Sequence, residues 1–370
     1  MTASPAAAAF ARITEHFLAH ARAALATGLH DPAIALQLGE RELLHAQGDA
    51  ALREHAQLKL NRVLLLQLHP AAPSGNIGPL GSAGALDEFL ALATSEGFRT
   101  HLQRRYPVLL PRLTRMLEGQ CAAVVELAVR IGSDRAALAG LLGAPAGTLH
   151  AVALGRGDLH GGGRTVARLQ FEGGTVMYKP RSLRIDATLD GLLCTLFGDG
   201  PDRVCVPKVI DRGSHGWAAF AAHRYCADDV ELRAYYRGLG HWLAILRLVG
   251  GTDIHLENLI AVGPVPVVVD AESVFSRVIE IEPSGLGDAY DTAVKLMRNS
   301  VLRTGIVPFR TAGLGMEGVD LSAAGALPGE QPRVQVPVIV EGGTEPARLG
   351  MVEAEVSVAQ NHPSAQPDVS

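Results

Sequence analysis

The chain has 370 residues, of which 48% are hydrophobic, so it is long enough for two or three domains with a sizeable core. Its net charge of -5 argues against a general affinity for nucleic acid or for an anionic membrane surface. No apolar stretch reaches about 18 residues, and no basic segment precedes an apolar run at the N-terminus. We therefore expect neither a membrane span nor a signal peptide.

The four cysteines are Cys121, Cys194, Cys205 and Cys226, which lie far apart and form no CxxC pair. That spacing argues against the usual four-ligand structural zinc site. We expect buried, reduced thiols in a cytoplasmic protein.

The first part of the chain predicts helices. Apolar residues recur at helical spacing over 1–70 and again over 85–145, separated by a loop rich in Pro, Gly and Ser over 69–84. Ser133 and Asp134 have the composition of an N-cap before a helix at 136–142. We interpret residues 1–147 as a helical N-terminal region.

The pattern changes near Thr148, where Gly161, Gly162 and Gly163 crowd a short segment before a predicted hairpin. Strands are predicted over 165–171 and 175–179, with a turn between them. Glycines let backbone N–H groups approach a phosphate closely, and Lys179 and Arg181 at the hairpin end supply positive charge. The alternative interpretation of these glycines and basic residues is a surface hairpin whose basic side chains are solvated.

A second block of chemistry follows an amphipathic helix predicted over 235–249. Asp253 is the candidate that orients or deprotonates an attacking hydroxyl, and His255 is placed to stabilise charge or transfer a proton. Asn258 and Asp270 are candidate magnesium ligands because a hard cation prefers oxygen donors. Glu272, two residues after Asp270, adds a carboxylate if the predicted strand at 265–270 continues.

Other predicted elements complete this part of the chain. They are a helix over 185–197, a strand over 217–223, a helix from Ala293 to Leu302 and a strand over 334–340 that Pro337 weakens. Asp186 and Asp190, on the first of these helices, are candidate partners for Lys179.

Several ordered segments resemble the dehydratase domain of class II lanthipeptide synthetases, the LanM type. These segments are GDLHGGGRTV at 157–166, YKPRSL at 178–183, GGTDIHLEN at 250–258, VDAESVF at 269–275 and SVLRTG at 300–305. GFR at 97–99 and RYPVL at 105–109 look like the part that precedes them. The resemblance covers roughly residues 85–310.

The resemblance implies an α+β fold in which a bilobal, lipid-kinase-like core follows the helical region. It implies phosphorylation of Ser and Thr in a precursor peptide with ATP and Mg²⁺, followed by elimination of phosphate to give dehydroamino acids. Lys179 would contact nucleotide phosphates, Asp253, His255 and Asn258 would form the catalytic loop, and Asp270 with Glu272 would bind the metal.

The chain also departs from the family pattern. Complete enzymes of this type are longer and carry a zinc-dependent cyclase, and the family's eliminating arginine and threonine would fall beyond Ser370. We therefore expect a truncated core over 148–310, a loosely matching, loop-rich tail over 311–370, and a separate cyclase or a missing C-terminal portion. The alternatives are an enzyme that only phosphorylates, and an inactive remnant that binds nucleotide or leader peptide.

Overall fold

The computed structural model describes residues 4–82, 84–156, 160–200, 203–275, 282–309, 320–324, 333–342, 345–355 and 360–365. They form two compact units. Unit 1 is Met1–Pro180 with Val336–Val352, and unit 2 is Arg181–Gln335 with Glu353–Ser370. The mixture of helices and strands confirms the predicted α+β class.

Unit 1 begins with the helices that the sequence predicts. Their bounds are α1 Pro5–Leu29, α2 Leu38–Ala71, α3 Ala85–Ala93, α4 Glu96–Arg105, α5 Leu109–Asp134 and α6 Ala139–Leu142. Ser4 caps α1 by accepting a hydrogen bond from the N–H of Ala7 at 3.2 Å. Buried apolar side chains line the contacts that α1 makes with α2 and α5, which form the core of this part.

The predicted N-cap at Ser133 and Asp134 is wrong. Both residues lie inside α5, and Asp134 is buried at its end. The apolar face of α5 continues through Ile131, so burial of that face extends the helix past the two polar residues.

Three antiparallel strands follow in unit 1, namely β1 Leu149–Ala153, β2 Ala167–Phe171 and β3 Gly174–Lys179. The hairpin between β2 and β3 confirms the prediction, with Leu169 opposite Val176 in the register. Strand β1 was not predicted, since its segment LHAVA carries only a short apolar pattern.

The pair β8 Arg333–Val340 and β9 Arg348–Glu355 forms a separate two-stranded sheet, and β8 confirms the strand expected at 334–340.

A buried ion pair joins α2 to the start of this sheet. Glu40 is only 1% exposed, and both of its oxygens accept hydrogen bonds from Arg135 at 2.8 and 2.9 Å. The backbone N–H groups of Leu149 and Gln37 also donate to it, at 2.8 and 2.9 Å. Burial works against the charge of Glu40, but these bonds outweigh burial and lower its pKa.

Unit 2 contains α7 Arg184–Phe197, α8 Asp229–Val249, α9 Asp288–Arg298 and two hairpins. The hairpins are β4 Val209–Asp211 with β5 Gly216–Ala219, and β6 Leu259–Val262 with β7 Val265–Val268. Four elements of unit 2 differ from the predictions by more than one residue. The strand expected at 217–223 ends at Ala219, the strand expected at 265–270 ends at Val268, and α8 begins at Asp229 after the cap Asp228. Helix α9 begins at Asp288, before Ala293, and ends at Arg298.

The core of unit 2 packs α8 against the β6–β7 hairpin. Trp242 is fully buried and its indole N–H donates to the carbonyl of Pro266 at 2.9 Å. Leu246, Ile254 and Val268 are fully buried in the same cluster. The loop that follows α8 is therefore anchored to a rigid apolar layer.

A late segment, Gln360–Pro363, lies against this layer through four consecutive backbone carbonyls. They accept hydrogen bonds from the Ala261 N–H, the Tyr235 hydroxyl, the His223 Nε2 and the Cys226 N–H, at 2.7, 2.8, 2.9 and 2.7 Å respectively. In the tail expected to be loop-rich, residues 311–319, 325–332, 343–344, 356–359 and 366–370 lie outside the described residues. The described part of the tail includes strands β8 and β9, so it is not all loop.

Two compositional expectations have outcomes in the structure. All four cysteines are free, and Cys121 is buried, but Cys194 is exposed, contrary to the expectation of buried thiols. Within the described part of the chain, no helix is long and apolar enough to cross a membrane.

Replacing Glu40 with alanine should destabilise unit 1, because it leaves Arg135 partly buried without its counter-charge. We expect the free energy of unfolding to fall by about 3 kcal/mol, measured by urea titration. Because the folded-state pKa of Glu40 is lowered, its contribution is present above the unfolded value of about 4.3 and is lost as the pH falls through the folded value.

The matched control is Glu42→Ala on the exposed face of the same helix, which should change stability by less than about 0.5 kcal/mol. Equal effects of the two substitutions at neutral pH would contradict a stabilising role for the ion pair.

Candidate functional site

The predicted catalytic loop begins where α8 ends at two glycines. Gly250 adopts a left-handed conformation, with φ of 68°, and its N–H donates to the carbonyl of Leu246. The Gly251 N–H donates to the same carbonyl at 2.7 Å, and a Cβ on Gly251 would lie 2.5 Å from the Leu246 side chain. Glycine is therefore required here so that the chain can turn tightly against the buried helix.

Asp253 is presented to solvent from a fixed backbone. Its φ is 63°, in the left-handed region that few non-glycine residues occupy, and its side chain is 68% exposed. The following residue, Ile254, is fully buried and its N–H donates to the carbonyl of Thr304 at 2.9 Å. The burial of Ile254 and the left-handed backbone of Asp253 together hold the Asp253 carboxylate toward solvent. Uncommon backbone conformations of this kind are frequent at functional sites.

His255 and Asn258 close the loop around Asp253. The Asn258 amide donates to the backbone carbonyl of Asp253 at 2.8 Å, and its nitrogen lies 3.3 Å from His255 Nε2. His255 Nε2 is 3.9 Å from the Asp253 carboxylate, and the Glu257 N–H donates to Nδ1 at 3.3 Å. The structure thus brings the predicted residues Asp253, His255 and Asn258 together.

The β6–β7 hairpin connects this loop to the second predicted acidic segment. The Val269 N–H donates to the carbonyl of Asn258 at 2.9 Å, so the two ends of the hairpin are tied together. Asp270 follows directly, and its Oδ1 accepts the N–H of Glu272 at 3.3 Å. The tie fixes Asn258 next to the residue that precedes Asp270.

Arg181 is bound to three carboxylates in unit 2. Its Nη2 donates to Asp270 at 2.6 Å, its Nη1 to Asp186 at 2.7 Å, and its Nε lies 3.0 Å from Glu272. Asp186 is nearly buried, with 4% of its side chain exposed, and the Arg181 side chain is 15% exposed. Burial opposes the charge of Arg181, but Asp186 and Asp270 outweigh burial and raise its pKa.

The donor set of Asn258, Asp270 and Glu272 suits Mg²⁺ by its chemistry. Mg²⁺ commonly takes one or two carboxylates and completes its shell with water and substrate phosphates. Among the described residues, no group of three His, Cys, Asp or Glu side chains could hold a metal by itself. In the structure both Asp270 and Glu272 contact Arg181, so a metal ion bound here would compete with its guanidinium.

Of the predicted phosphate contacts, Lys179 and the three glycines at 161–163 belong to unit 1, whereas Arg181 belongs to unit 2. Lys179 ends β3 and is 7% exposed. Gly162 and Gly163 have positive φ and pack against α5, where a Cβ on Gly163 would lie 2.8 Å from the backbone nitrogen of Gln120. Close packing against α5 is therefore enough to require glycine at position 163. Residues 157–159 of the same segment lie outside the described residues.

Three supporting contacts could not be identified from the sequence. Asp186 is bonded to Arg181 and Asp190 to Arg203, at 2.7 Å in both cases. Arg303 donates to the carbonyl of Gly250 at 3.2 Å, so the SVLRTG segment supports the catalytic loop from behind. The sequence shows that segment as a motif. Its position beside residues 250–254 depends on a hydrogen bond between residues that are 53 positions apart in the chain.

Two comparisons with known proteins place the chain among proteins of similar sequence. The family model described as Domain of unknown function (DUF4135) matches residues 106–369. The Lacticin 481/lactococcin biosynthesis protein LcnDR2 of Lactococcus lactis subsp. lactis is 26% identical over 162 residues. That alignment covers 41% of this chain but only 17% of the relative, so the chain spans a small part of the relative's length.

Replacing Arg181 with methionine should destabilise unit 2, since it leaves the buried carboxylate of Asp186 without its cation. We expect a loss of about 3 kcal/mol in the free energy of unfolding, measured by urea titration. Arg184→Met, which changes an exposed arginine three residues later, is the control and should have little effect. A stable Arg181→Met protein would show that the cluster does not support the fold.

Proposed function

The chain belongs to the DUF4135 family, and from this membership together with the geometry of the loop we propose that it acts in lanthipeptide biosynthesis. The proposed activity is transfer of the γ-phosphoryl group of ATP to Ser and Thr hydroxyls of a precursor peptide, followed by elimination of phosphate. The observation that carries the proposal is the hairpin tie between Val269 and Asn258, which joins the Asp253 loop to Asp270.

Each of the site residues has a separate role in the proposed phosphorylation step. Asp253, exposed and held outward, orients the peptide hydroxyl and accepts its proton. His255, with its Nε2 beside the Asp253 carboxylate, stabilises charge or takes part in the proton transfer. Lys179 and Gly161, Gly162 and Gly163 would contact the phosphates of the nucleotide.

A magnesium ion held by Asn258, Asp270 and Glu272 would neutralise charge on the phosphates when bound. In the proposed site Arg181 keeps these carboxylates ordered and partly neutralised. Because the guanidinium also bonds Asp186, Arg181 would keep a carboxylate partner if Asp270 held the metal ion. The proposal includes a bilobal core that resembles that of a lipid kinase.

The elimination step removes the new phosphate together with the proton on Cα of the same residue. The Cβ–O bond breaks, phosphate leaves with the electron pair, and a Cα=Cβ double bond forms. Phosphate is a far better leaving group than hydroxide, which is the chemical reason for phosphorylating first. The name of the relative, a lacticin 481 and lactococcin biosynthesis protein, supports a peptide as the substrate.

The test is to incubate the chain with ATP, Mg²⁺ and a Ser/Thr-rich precursor peptide and to read peptide masses. Loss of water supports the full proposal, and a stable phosphate adduct supports phosphorylation alone. An unchanged peptide, with the chain shown to be folded, would overturn the proposed activity.

Asp253→Asn should lower the rate of peptide phosphorylation by roughly 10²- to 10⁴-fold, because asparagine keeps the shape but cannot accept a proton. Asparagine also tolerates the left-handed backbone, so the fold should be preserved. Asp229→Asn, on the exposed first turn of α8, is the control. Wild-type rates in Asp253→Asn would remove this carboxylate from the mechanism.

Lys179→Gln should weaken ATP binding by roughly 10- to 100-fold, the loss that follows removal of a hydrogen bond between charged groups. Isothermal titration with ATP and Mg²⁺ measures this change. Lys208→Gln removes an exposed lysine and should leave the affinity unaltered. If both variants bind ATP equally well, Lys179 does not contact the nucleotide.

A further inference from the structure

The backbone at Asp253 adopts a conformation that needs support from its surroundings. Its φ of 63° lies in the left-handed region, which a residue other than glycine keeps only where neighbouring contacts hold it. Two peptide units meet at the Cα of Asp253, one shared with Thr252 and one shared with Ile254, and each of them is planar. The direction of the Cα–Cβ bond of Asp253 is therefore fixed when both planes are fixed.

The peptide unit between Asp253 and Ile254 is held at both of its polar groups. Its carbonyl accepts a hydrogen bond from the Asn258 amide at 2.8 Å, and its N–H donates to the carbonyl of Thr304 at 2.9 Å. Gly305 packs closely behind it, since a Cβ there would lie 3.0 Å from the carbonyl oxygen of Ile254. These contacts fix the second plane and leave the first to be held by other groups.

The peptide unit between Thr252 and Asp253 is held by a side chain from the acidic segment. The hydroxyl of Ser273 donates a hydrogen bond to the carbonyl of Thr252. A backbone carbonyl can only accept, so the proton of this bond belongs to the serine. In the part of the chain that the structure describes, no other hydrogen bond reaches this peptide unit. Ser273 therefore supplies the contact that fixes the first plane.

The position of Ser273 is fixed because the residues on both sides of it are anchored. Ala271 is fully buried in the core of unit 2, Val274 is 3% exposed there, and the Val274 N–H donates to the carbonyl of Ala271 at 3.2 Å. The Phe275 N–H donates to the carbonyl of Val249, the last residue of α8, at 2.8 Å. The turn at 271–275 thus presents the serine hydroxyl from the same core that supports α8.

Ser273 also belongs to the segment that carries the candidate metal ligands, since it follows Glu272 directly and Asp270 by three residues. The bond from Val269 to Asn258 ties the beginning of this segment to the Asp253 loop, and the bond from Ser273 ties a later part of it. The hydroxyl is uncharged and bonds the main chain. It therefore joins the two segments without adding a charge that competes for a cation.

We propose that Ser273 is a positioning residue of the phosphoryl-transfer site: it holds the peptide unit between Thr252 and Asp253 and so directs the Asp253 carboxylate toward the peptide hydroxyl. The inference rests on the proposed function. Ser273 acts through Asp253 and touches neither the nucleotide nor the peptide. Alanine would fit the same space, so packing does not explain the serine, and donation to Thr252 is a contribution that alanine lacks.

Hydrogen exchange of the full chain tests whether Ser273 holds the loop, with no nucleotide or peptide present. In Ser273→Ala the amides of residues 250–258 should exchange roughly threefold to tenfold faster, the effect of losing one hydrogen bond. The control is Ser74→Ala, which removes an exposed hydroxyl that donates to the carbonyl of Pro70 at 2.8 Å in unit 1. It should leave exchange at 250–258 unchanged.

Kinetics test whether Ser273 acts through Asp253. In Ser273→Ala, kcat for peptide phosphorylation should fall roughly threefold to tenfold, while KM for ATP stays within about twofold, because Asp253 serves the peptide hydroxyl. In an Asp253→Asn background, Ser273→Ala should lower the rate no further, since the carboxylate that it positions is gone. A general loss of structure would lower the rate equally in both backgrounds.

Unchanged exchange at 250–258 in a folded Ser273→Ala, or an equal fall in rate with and without the Asp253 carboxylate, would overturn the proposal. If Ser273→Ala does not fold, Ser273→Cys replaces it, because a thiol keeps a similar shape and donates only weakly. An unmodified chain that phosphorylates no peptide would overturn the proposed function instead. The exchange measurement would then still decide whether Ser273 holds the loop.

Discussion

One backbone hydrogen bond, from the Val269 N–H to the carbonyl of Asn258, sets the geometry of the candidate site. It closes the short β6–β7 hairpin and so places the loop that carries Asp253 beside the segment that carries Asp270. The strands are buried against α8, where Trp242 and Leu246 leave little freedom for the hairpin to shift. The exposed carboxylates are thus supported by apolar packing, which is how a loop acquires a fixed shape.

Three carboxylates lie close together beside the candidate site, and their negative charge is neutralised by Arg181. Asp186, Asp270 and Glu272 would repel one another if Arg181 did not lie among them. The sequence identified Arg181 as a phosphate contact, because a basic residue near glycines fits that role. Its carboxylate partner Asp270 is 89 residues away in the chain, and no local pattern reports a pairing over such a distance.

Elements with a strong local signal were predicted, and those that depend on tertiary contacts were not. The β2–β3 hairpin and the amphipathic helix α8 follow from alternation, turn residues and helical spacing. By contrast, β1 is fixed by the bond from the Leu149 N–H to Glu40, 109 residues earlier. For the site, the close spacing of Asp253, His255 and Asn258 in the sequence is enough to bring them together in one loop, while the supporting contact of Arg303 depends on the fold.

The segment Gln360–Pro363 is held by its main chain: all four of its carbonyls accept hydrogen bonds in unit 2. Every amino acid supplies such a carbonyl, so these four bonds place no demand on which side chains the segment carries. Asn361 is different, because its buried amide donates to the carbonyl of Ala323 at 2.8 Å. Exchange of the exposed Gln360 therefore leaves the backbone bonds in place, whereas exchange of Asn361 removes a contact that the main chain cannot replace.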